Sequence, residues 1–476
     1  NPRDVEFFAE AKKLKFKNAA LAAFGSTRKK GVRVEDDEQV QLLLKSETPV
    51  VTIFGKTWLL HVTEVLKTTP EENLDMIRDT VRFLKENGKF VIYDAEHAFD
   101  GYKGNPKYAT RTWLAAQEGG ADMIVLCDTN GGCMPHEIES ITAAAGFLST
   151  KLGIHTHDDM GLAVANSLVA VRRGAVHVQC TVNGYGERTG NCNLITVVPC
   201  LQVKMDLSCV PEESIQQLVE LSRFVDNVAN VRHNHRQPVV GKNAFAHKGG
   251  VHLDAVSKVA PSYEHMPPET VGNERRVLVS DLSGKANVLF KAREFGMNIK
   301  PDAPELKGIL QRIKTLEHEG YEFEAADGSL QLLLMKGLGK YDQPFSISGY
   351  HVSARRDGTG LLTGATKVCD ASTEVSHGGN QHHTVAKGDG PVNALDNALR
   401  KALVQMFPEI EKVHLADYKV RILNGGESSA ARTRVLISFS DGEHEWSTVG
   451  ADDSIVEASL VALREGYEYW LLCCRV

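Results

Sequence analysis

Between residues 18 and 205, short apolar runs alternate with stretches whose apolar residues recur every three to four positions. Ala19–Phe24, Val50–Phe54, Phe90–Asp94, Met123–Cys127, Gly153–His157 and Val176–Val182 each run into polar or Gly-rich residues, which predicts strands. Residues 37–45, 70–86, 106–118, 135–149 and 162–173 carry the helical period. Pro70-Glu71-Glu72 puts a proline and two acids where a helix starts. Strict alternation of strand and helix predicts βαβ crossovers and a parallel sheet, and a repeat of about 30 residues suits a (β/α)8 barrel. Six strands are visible where a barrel has eight. The fold class expected is therefore α/β, a (β/α)8 TIM barrel lacking its first two βα units. A doubly wound sheet of six strands is the alternative. Its usual G-x-G-x-x-G is absent after the first strand, where Phe24-Gly25-Ser26-Thr27 stands.

The rest of the chain has a different texture. Residues 206–340 read as helical linker subdomains, with helices over Ser214–Ala229 and Lys285–Phe295. The stretch Gln237 to Val271, rich in Gly, Pro and His, is long for a structureless connection. Residues 341–476 show two rounds of strands followed by a helix. Phe345–Ser353, the turn region Gly358–Gly364 and the helix Val392–Met406 make the first round. Leu415–Leu423, the loop Asn424–Ala430, Arg432–Phe439, Trp446–Val449 and the helix Ile455–Tyr469 make the second. That is the pattern of an internally duplicated α+β domain. The expected domains are thus 1–205, 206–340 and 341–476.

Composition narrows the function classes. The 476 residues are 42% hydrophobic and 24% charged, ordinary for a globular chain, and the net charge of −7 offers no basic field for nucleic acid or anionic membrane. No apolar run approaches the ~18–20 residues of a membrane span. Nine cysteines without metal-ligand spacing indicate free thiols and a reducing, cytoplasmic compartment. The chain starts at Asn1 and leads into a helix-like stretch, Val5 to Leu14, without a signal peptide. The expectation is a chain that begins inside a longer protein, so an organellar leader upstream stays open.

The candidate chemistry gathers at strand ends. His155 and His157, in Gly153-Ile154-His155-Thr156-His157-Asp158-Asp159, lie two apart and share one face of a strand. Both neutral rings can reach one divalent cation, with Asp158 and Asp159 as orienting partners; two solvated histidines on a polar strand end are the plainer alternative. Asn183-Gly184-Tyr185-Gly186-Glu187-Arg188-Thr189-Gly190-Asn191 follows the next strand and offers the amide oxygen of Asn191, a hard ligand for Mg²⁺ or Mn²⁺. Asp94-Ala95-Glu96-His97 and Cys127-Asp128-Thr129-Asn130 end two earlier strands, supplying a carboxylate for acid–base work and a hydroxyl for a substrate carboxylate. Farther on, Phe245 to Asp254 and Tyr263-Glu264-His265 carry several histidines and a tyrosine, which fits either a cover over a site or an exposed loop.

The strings Leu152-x-x-His155-x-His157-Asp158-Asp159-x-Gly161-x-Ala163-x-Ala165 and N-G-x-G-E-R-x-G-N at 183–191 resemble signatures of the acetyl-CoA-condensing synthases and related lyases: the isopropylmalate, homocitrate and citramalate synthases. The resemblance spans essentially the whole chain. Asp94 to Tyr102, Leu126 to Gly132 and Asn183 to Gly186 make it most similar to the citramalate-forming branch. It implies an acyltransferase that condenses acetyl-CoA with pyruvate, with 2-isopropylmalate synthesis from 2-ketoisovalerate as the alternative. It implies that His155, His157 and Asn191 hold a divalent metal (Mn²⁺ or Mg²⁺, or Zn²⁺), and that Glu96 and Thr129 line the keto-acid pocket. It also implies that His252 and Tyr263 act in the aldol step from the partner subunit of a homodimer. The C-terminal domain would be a regulatory and dimerisation domain sensing isoleucine. The signature L-R-D-G-x-Q of the first barrel strand is absent, which matches the count of six strands. A non-catalytic chain keeping only effector binding is the remaining alternative.

Overall fold

The computed structural model describes residues 2–279, 285–357, 366–423 and 431–475, which form two units. The first comprises residues 2–244 with Pro268–Glu274. It runs α1 (Pro2–Ala11), β1 (Ala22–Ser26), α2 (Glu38–Lys45), β2 (Val50–Lys56), α3 (Pro70–Glu86), β3 (Phe90–Glu96), α4 (Ala98–Gly104), α5 (Pro106–Gly119) and β4 (Met123–Asp128). It continues through α6 (Pro135–Ala144), β5 (Lys151–Thr156), α7 (Ala163–Arg172), β6 (His177–Gln179), α8 (Leu194–Pro199), α9 (Glu212–Ile215) and α10 (Leu218–Val228). All six expected strands are present. They form one sheet in the order β1-β2-β3-β4-β5-β6, every neighbour pair parallel. Strict sequence order is the progression of a (β/α) barrel; a doubly wound sheet reverses its order partway.

The alternation along each strand sorts the two faces. Val51, Ile53, Val91, Tyr93, Ile124, Leu126 and Ile154 belong to the core formed with the helices, where Ile77, Val81 and Trp113 are buried. The alternate positions Ile92, Met123, Val125 and Cys127 form a separate small cluster on the other face. Asp94 and His155 share the parity of that second face, so the sequence period itself puts their side chains away from the helices. Helix α3 begins as its sequence dictates: Pro70 is at the first turn, and the Thr69 hydroxyl accepts from the Glu72 N–H at 3.2 Å.

One expectation for the linker needs correction. Ser214–Ala229 is not one helix but the pair α9 and α10. The Gln216 carbonyl packs so tightly on the backbone of Gly272 that a Cβ there would collide with it. The long stretch from Gln237 carries structure of its own, as its length implied: it contains the helix Gly250–Lys258, which belongs to the second unit.

That second unit comprises Phe245–Pro267 and residues from Arg275 onward. β7 (Ala246–His247), α11 (Gly250–Lys258) and β8 (Arg276–Val277) lead into α12 (Lys285–Glu294), α13 (Pro304–His318) and α14 (Asp327–Gly337). Then follow β9 (Ser346–Asp357), β10 (Thr366–His377), β11 (Asn380–Gly388) and α15 (Pro391–Met406), and β12 (His414–Ile422), β13 (Thr433–Ser440), β14 (Glu445–Asp452) and α16 (Ile455–Tyr469). Two antiparallel three-stranded sheets, each followed by a helix, confirm the duplication, and their cores merge around Leu399, Leu403, Ile437, Phe439 and Leu463. The expected turn Gly358–Gly364 and loop Asn424–Ala430 lie outside the described residues. Among the described residues no helix is long and apolar enough to cross a membrane.

Candidate active site

The carboxyl ends of β2 to β6 carry the polar side chains. At the end of β5, the His155 and His157 rings present their Nε2 atoms to one another at 3.3 Å. His155 Nδ1 lies 2.6 Å from Gln179 Oε1, and Gln179 Nε2 donates to Asp94 Oδ1 at 2.8 Å. An amide oxygen only accepts, so His155 carries its proton on Nδ1 and keeps the Nε2 lone pair for a ligand. Burial lowers the pKa of both imidazoles, that of His157 to about 4 with help from His155 and Arg188, so both rings are neutral at physiological pH. Burial also pushes the Asp94 carboxyl up to about 7, against the hydrogen bond from Gln179.

The loop after β6 brings in Asn191. Its backbone forms an isolated bridge with His157, and its Nδ2 lies 3.5 Å from His155 Nε2. Asn191 Oδ1 is buried without a partner, as is His157 Nδ1. Rotating the amide by half a turn would present that oxygen to the imidazole pair, the orientation a cation selects. Gly186 makes room for this amide, since a Cβ there would overlap Asn191 Oδ1. Among the described residues no three His, Cys, Asp or Glu side chains converge on a metal position. The donors at hand are two imidazole nitrogens and one amide oxygen, a set that fits a divalent cation with open positions for substrate or water.

Asp158 and Asp159 do not orient the rings. Asp158 Oδ1 accepts from the N–H of Ala163, the first residue of α7, at 2.9 Å. Asp159 receives Arg188 through Nε and Nη2, both at 2.7 Å. The same guanidinium donates to the Thr129 carbonyl at 2.9 Å, tying together the loops that follow β4, β5 and β6.

Glu96 ends β3 in register with Lys56 at the end of β2, and the two form a half-buried ion pair. Next to it, His97 adopts a left-handed backbone (φ 55°, ψ 37°), and its N–H donates to Thr129 Oγ1 at 2.8 Å. The structure thereby brings Glu96 and Thr129 to neighbouring strand ends of one rim. A cleft of about 270 Å³ is lined by Phe24, Thr52, Asp94, His155, Gln179 and Asn191, among others.

His252 and Tyr263 belong to the second unit. Their rings stack with centroids 4.2 Å apart, and both are exposed. Beside Tyr263, Glu264 is buried and takes Arg275 through two bonds of 2.6 and 2.7 Å, with His247 Nε2 3.1 Å away. That pairing anchors the segment.

Sequence reasoning missed Lys56, Gln179 and the Arg188–Asp159 clamp. Lys56 was legible as the polar residue two positions beyond the apolar run Val50–Phe54. Gln179 was legible as an amide inside the expected strand Val176–Val182.

Comparison with known proteins gives concordant results. The HMGL-like family matches residues 3–225, the homocitrate synthase post-HMGL domain-like family residues 239–321, and the LeuA allosteric (dimerisation) domain residues 324–471. The chain is 50% identical over 476 residues to an (R)-citramalate synthase of Aquifex aeolicus, covering 99% of this chain and 89% of that protein. It is 49% identical to the corresponding synthase of Geobacter sulfurreducens, with the same shares covered. Identity falls to 30% with a 2-isopropylmalate synthase of Methanocaldococcus jannaschii, over 87% of this chain and 76% of that one.

Proposed function

The chain belongs to the (R)-citramalate synthases of the HMGL-like family, which are acyltransferases, and from that premise we propose that it condenses acetyl-CoA with pyruvate and water to give (R)-citramalate and CoA. The observation that carries this reading at the site is the neutral imidazole pair, oriented through Gln179 and Asp94, with the Asn191 amide beside it. The choice of pyruvate rests on the drop from 50% identity with a citramalate synthase to 30% with a 2-isopropylmalate synthase.

His155, His157 and Asn191 are the proposed holders of a divalent cation. When bound there, such an ion, Mn²⁺ or Mg²⁺, supplies Lewis-acid polarisation of the keto oxygen. Thr129 Oγ1 already accepts from the His97 N–H, so its own hydrogen is oriented to donate to the pyruvate carboxylate. Glu96, paired with Lys56 at the neighbouring strand end, is the proposed positioner of the keto acid, although it does not line the cleft itself. His252, contributed by the second copy in a homodimer, is the proposed base that removes a methyl proton from acetyl-CoA, with Tyr263 of that copy stacked on it to fix the ring. The methyl carbon then bonds to the keto carbon as the C=O π bond opens onto oxygen, that oxygen takes up a proton to become the hydroxyl, and water cleaves the thioester, releasing CoA and a carboxylate.

The LeuA allosteric (dimerisation) domain supports a homodimer under allosteric control; isoleucine is the proposed feedback effector, in a step toward isoleucine through 2-oxobutanoate. Nine free cysteines support a reducing, cytoplasmic setting. CoA release with Mn²⁺ tests the reading. Pyruvate should turn over at least ~10-fold faster than 2-ketoisovalerate, because each added methyl group must fit a pocket shaped for a smaller acid. Preference for 2-ketoisovalerate would move the assignment to isopropylmalate synthesis. No CoA release with either acid would leave effector binding as the remaining role.

A further inference from the structure

The loop that carries Asn191 is held from behind by a second polar network, which the chemistry above does not use. Its centre is Asp226 on α10, a carboxylate 4% exposed. Asp226 Oδ1 accepts from Asn183 Nδ2 at 2.6 Å and from the Tyr185 hydroxyl at 2.7 Å, and Oδ2 lies 2.7 Å from His233 Nδ1. Burial works against the charge, yet the Tyr185, His233 and Asn183 donors hold this carboxyl below its usual range. Asn183 is saturated on both ends of its amide. Nδ2 also donates to the Ser222 carbonyl at 2.9 Å, while Oδ1 accepts from Ser222 Oγ at 2.7 Å and Gln237 Nε2 at 3.0 Å.

These contacts hold a loop whose backbone is costly. Asn183 is left-handed (φ 60°, ψ 10°) and Arg188 is left-handed as well (φ 55°). Non-glycine residues in this region are strained and persist where the surroundings over-determine them. Between them, the Tyr185 carbonyl accepts from Thr181 Oγ1 at 2.6 Å, and the Asn191 N–H donates to the Gly184 carbonyl at 3.0 Å. Displacing Tyr185 therefore displaces the turn that sets where Asn191 stands. The front of the loop is clamped by Arg188 to Asp159, and the back by Asp226 to Tyr185 and Asn183.

We propose that Asp226 is a positioning residue for the condensation: through Tyr185 and Asn183 it fixes the 183–191 loop and thereby sets the affinity of the His155–His157–Asn191 site for its divalent cation. The proposal rests on the functional reading above. Partners one bond removed from a metal ligand typically shift metal affinity or activity by about 10- to 100-fold, and Asp226 acts through one further residue, so the low end of that range is expected.

The test uses the full chain in four forms: unsubstituted, Asp226→Asn, Tyr185→Phe and His155→Ala. Mn²⁺ affinity is measured without substrates by titration calorimetry, and amide hydrogen exchange is followed in metal-free protein. Asp226→Asn should weaken Mn²⁺ binding about 10-fold and Tyr185→Phe a few-fold. Exchange over residues 183–191 should quicken, while exchange over α3 stays unchanged. A merely structural role would lower the melting temperature without moving the Mn²⁺ Kd. Should Asp226→Asn not fold, Tyr185→Phe, which removes one hydroxyl, decides alone. Binding that His155→Ala abolishes but that folded Asp226→Asn and Tyr185→Phe leave at the unsubstituted Kd would overturn the proposal and spare the functional reading. An unsubstituted chain without His155-dependent Mn²⁺ binding would overturn the functional reading, and the proposal with it.

Discussion

Along β10, β11, β13 and β14, polar side chains find partners across their own sheets. Thr373 Oγ1 lies 3.2 Å from Thr384 Oγ1, and Ser438 Oγ lies 2.9 Å from Ser447 Oγ. The helices above them are tied the same way, Tyr467 to Asp396 at 2.7 Å and the Trp446 indole to the Gly466 carbonyl at 3.0 Å. At the carboxyl ends of β2 to β6 the pattern differs. His61 Nδ1, His157 Nδ1 and Asn191 Oδ1 are buried without partners, and His97, Asn183 and Arg188 hold left-handed backbones. Among its described residues the duplicated domain leaves Arg432 Nε, Arg464 Nε and Glu468 Oε2 buried without hydrogen-bond partners, but all three residues stand in ion pairs and no non-glycine residue there is left-handed. The sheet rim instead combines unpartnered neutral ring and amide atoms with left-handed non-glycine backbones, a combination found where groups are reserved for a ligand.

That contrast can be broken in a graded way. His155→Ala or His157→Ala should cut CoA release on the order of 100-fold or more, because a metal ligand is lost outright, while thermal unfolding stays close to that of the unsubstituted chain. Loss of folding with either substitution would place these rings among the structural groups. Gly466→Ala should do the reverse. A Cβ there would sit inside the Phe439 ring, which packs against Trp446 and Tyr467. Overpacking of this kind costs ~1–3 kcal/mol, readable in denaturant unfolding, with Mn²⁺ affinity unmoved. Arg188→Lys keeps the charge but loses the two-pronged grip on Asp159, so an increase in the KM for pyruvate of about 3- to 10-fold is expected, with little change in stability.

The smallest effect concerns pH. Burial raises the Asp94 carboxyl from 3.8 to about 7, so between those values the folded chain binds more protons than the unfolded one. The stabilisation this represents is complete below 3.8 and is lost as pH rises through about 7. Asp94→Asn should flatten that part of the stability–pH curve, and an unchanged slope would show Asp94 ionised in the fold.

Much of this was legible in the sequence because period and position coincide. All six strands and the helix Pro70–Glu86 follow from apolar spacing and an N-terminal Thr-Pro-acid pattern. The imidazole pair was legible because H-x-H at a strand end puts two rings on one face. What orients His155 was not. Gln179 lies 24 residues later and meets it only because β5 and β6 pair in parallel, with His155 opposite Gln179. The nearer candidates, Asp158 and Asp159, were drawn off by the Ala163 N–H at the start of α7 and by Arg188. At the break between α9 and α10, Gln216 packs on the backbone of Gly272, 56 residues further along, a contact no local pattern reports. Local pattern reports the elements; contacts across the sheet decide what their ends can do.

The central claim is that this rim holds a divalent cation through His155 and His157. Mn²⁺ titration of the full chain without substrates tests it most directly. The account predicts one ion per chain, and none at the same concentration in His155→Ala or His157→Ala chains that remain folded. Equal Mn²⁺ stoichiometry in the unsubstituted chain and both variants would contradict it.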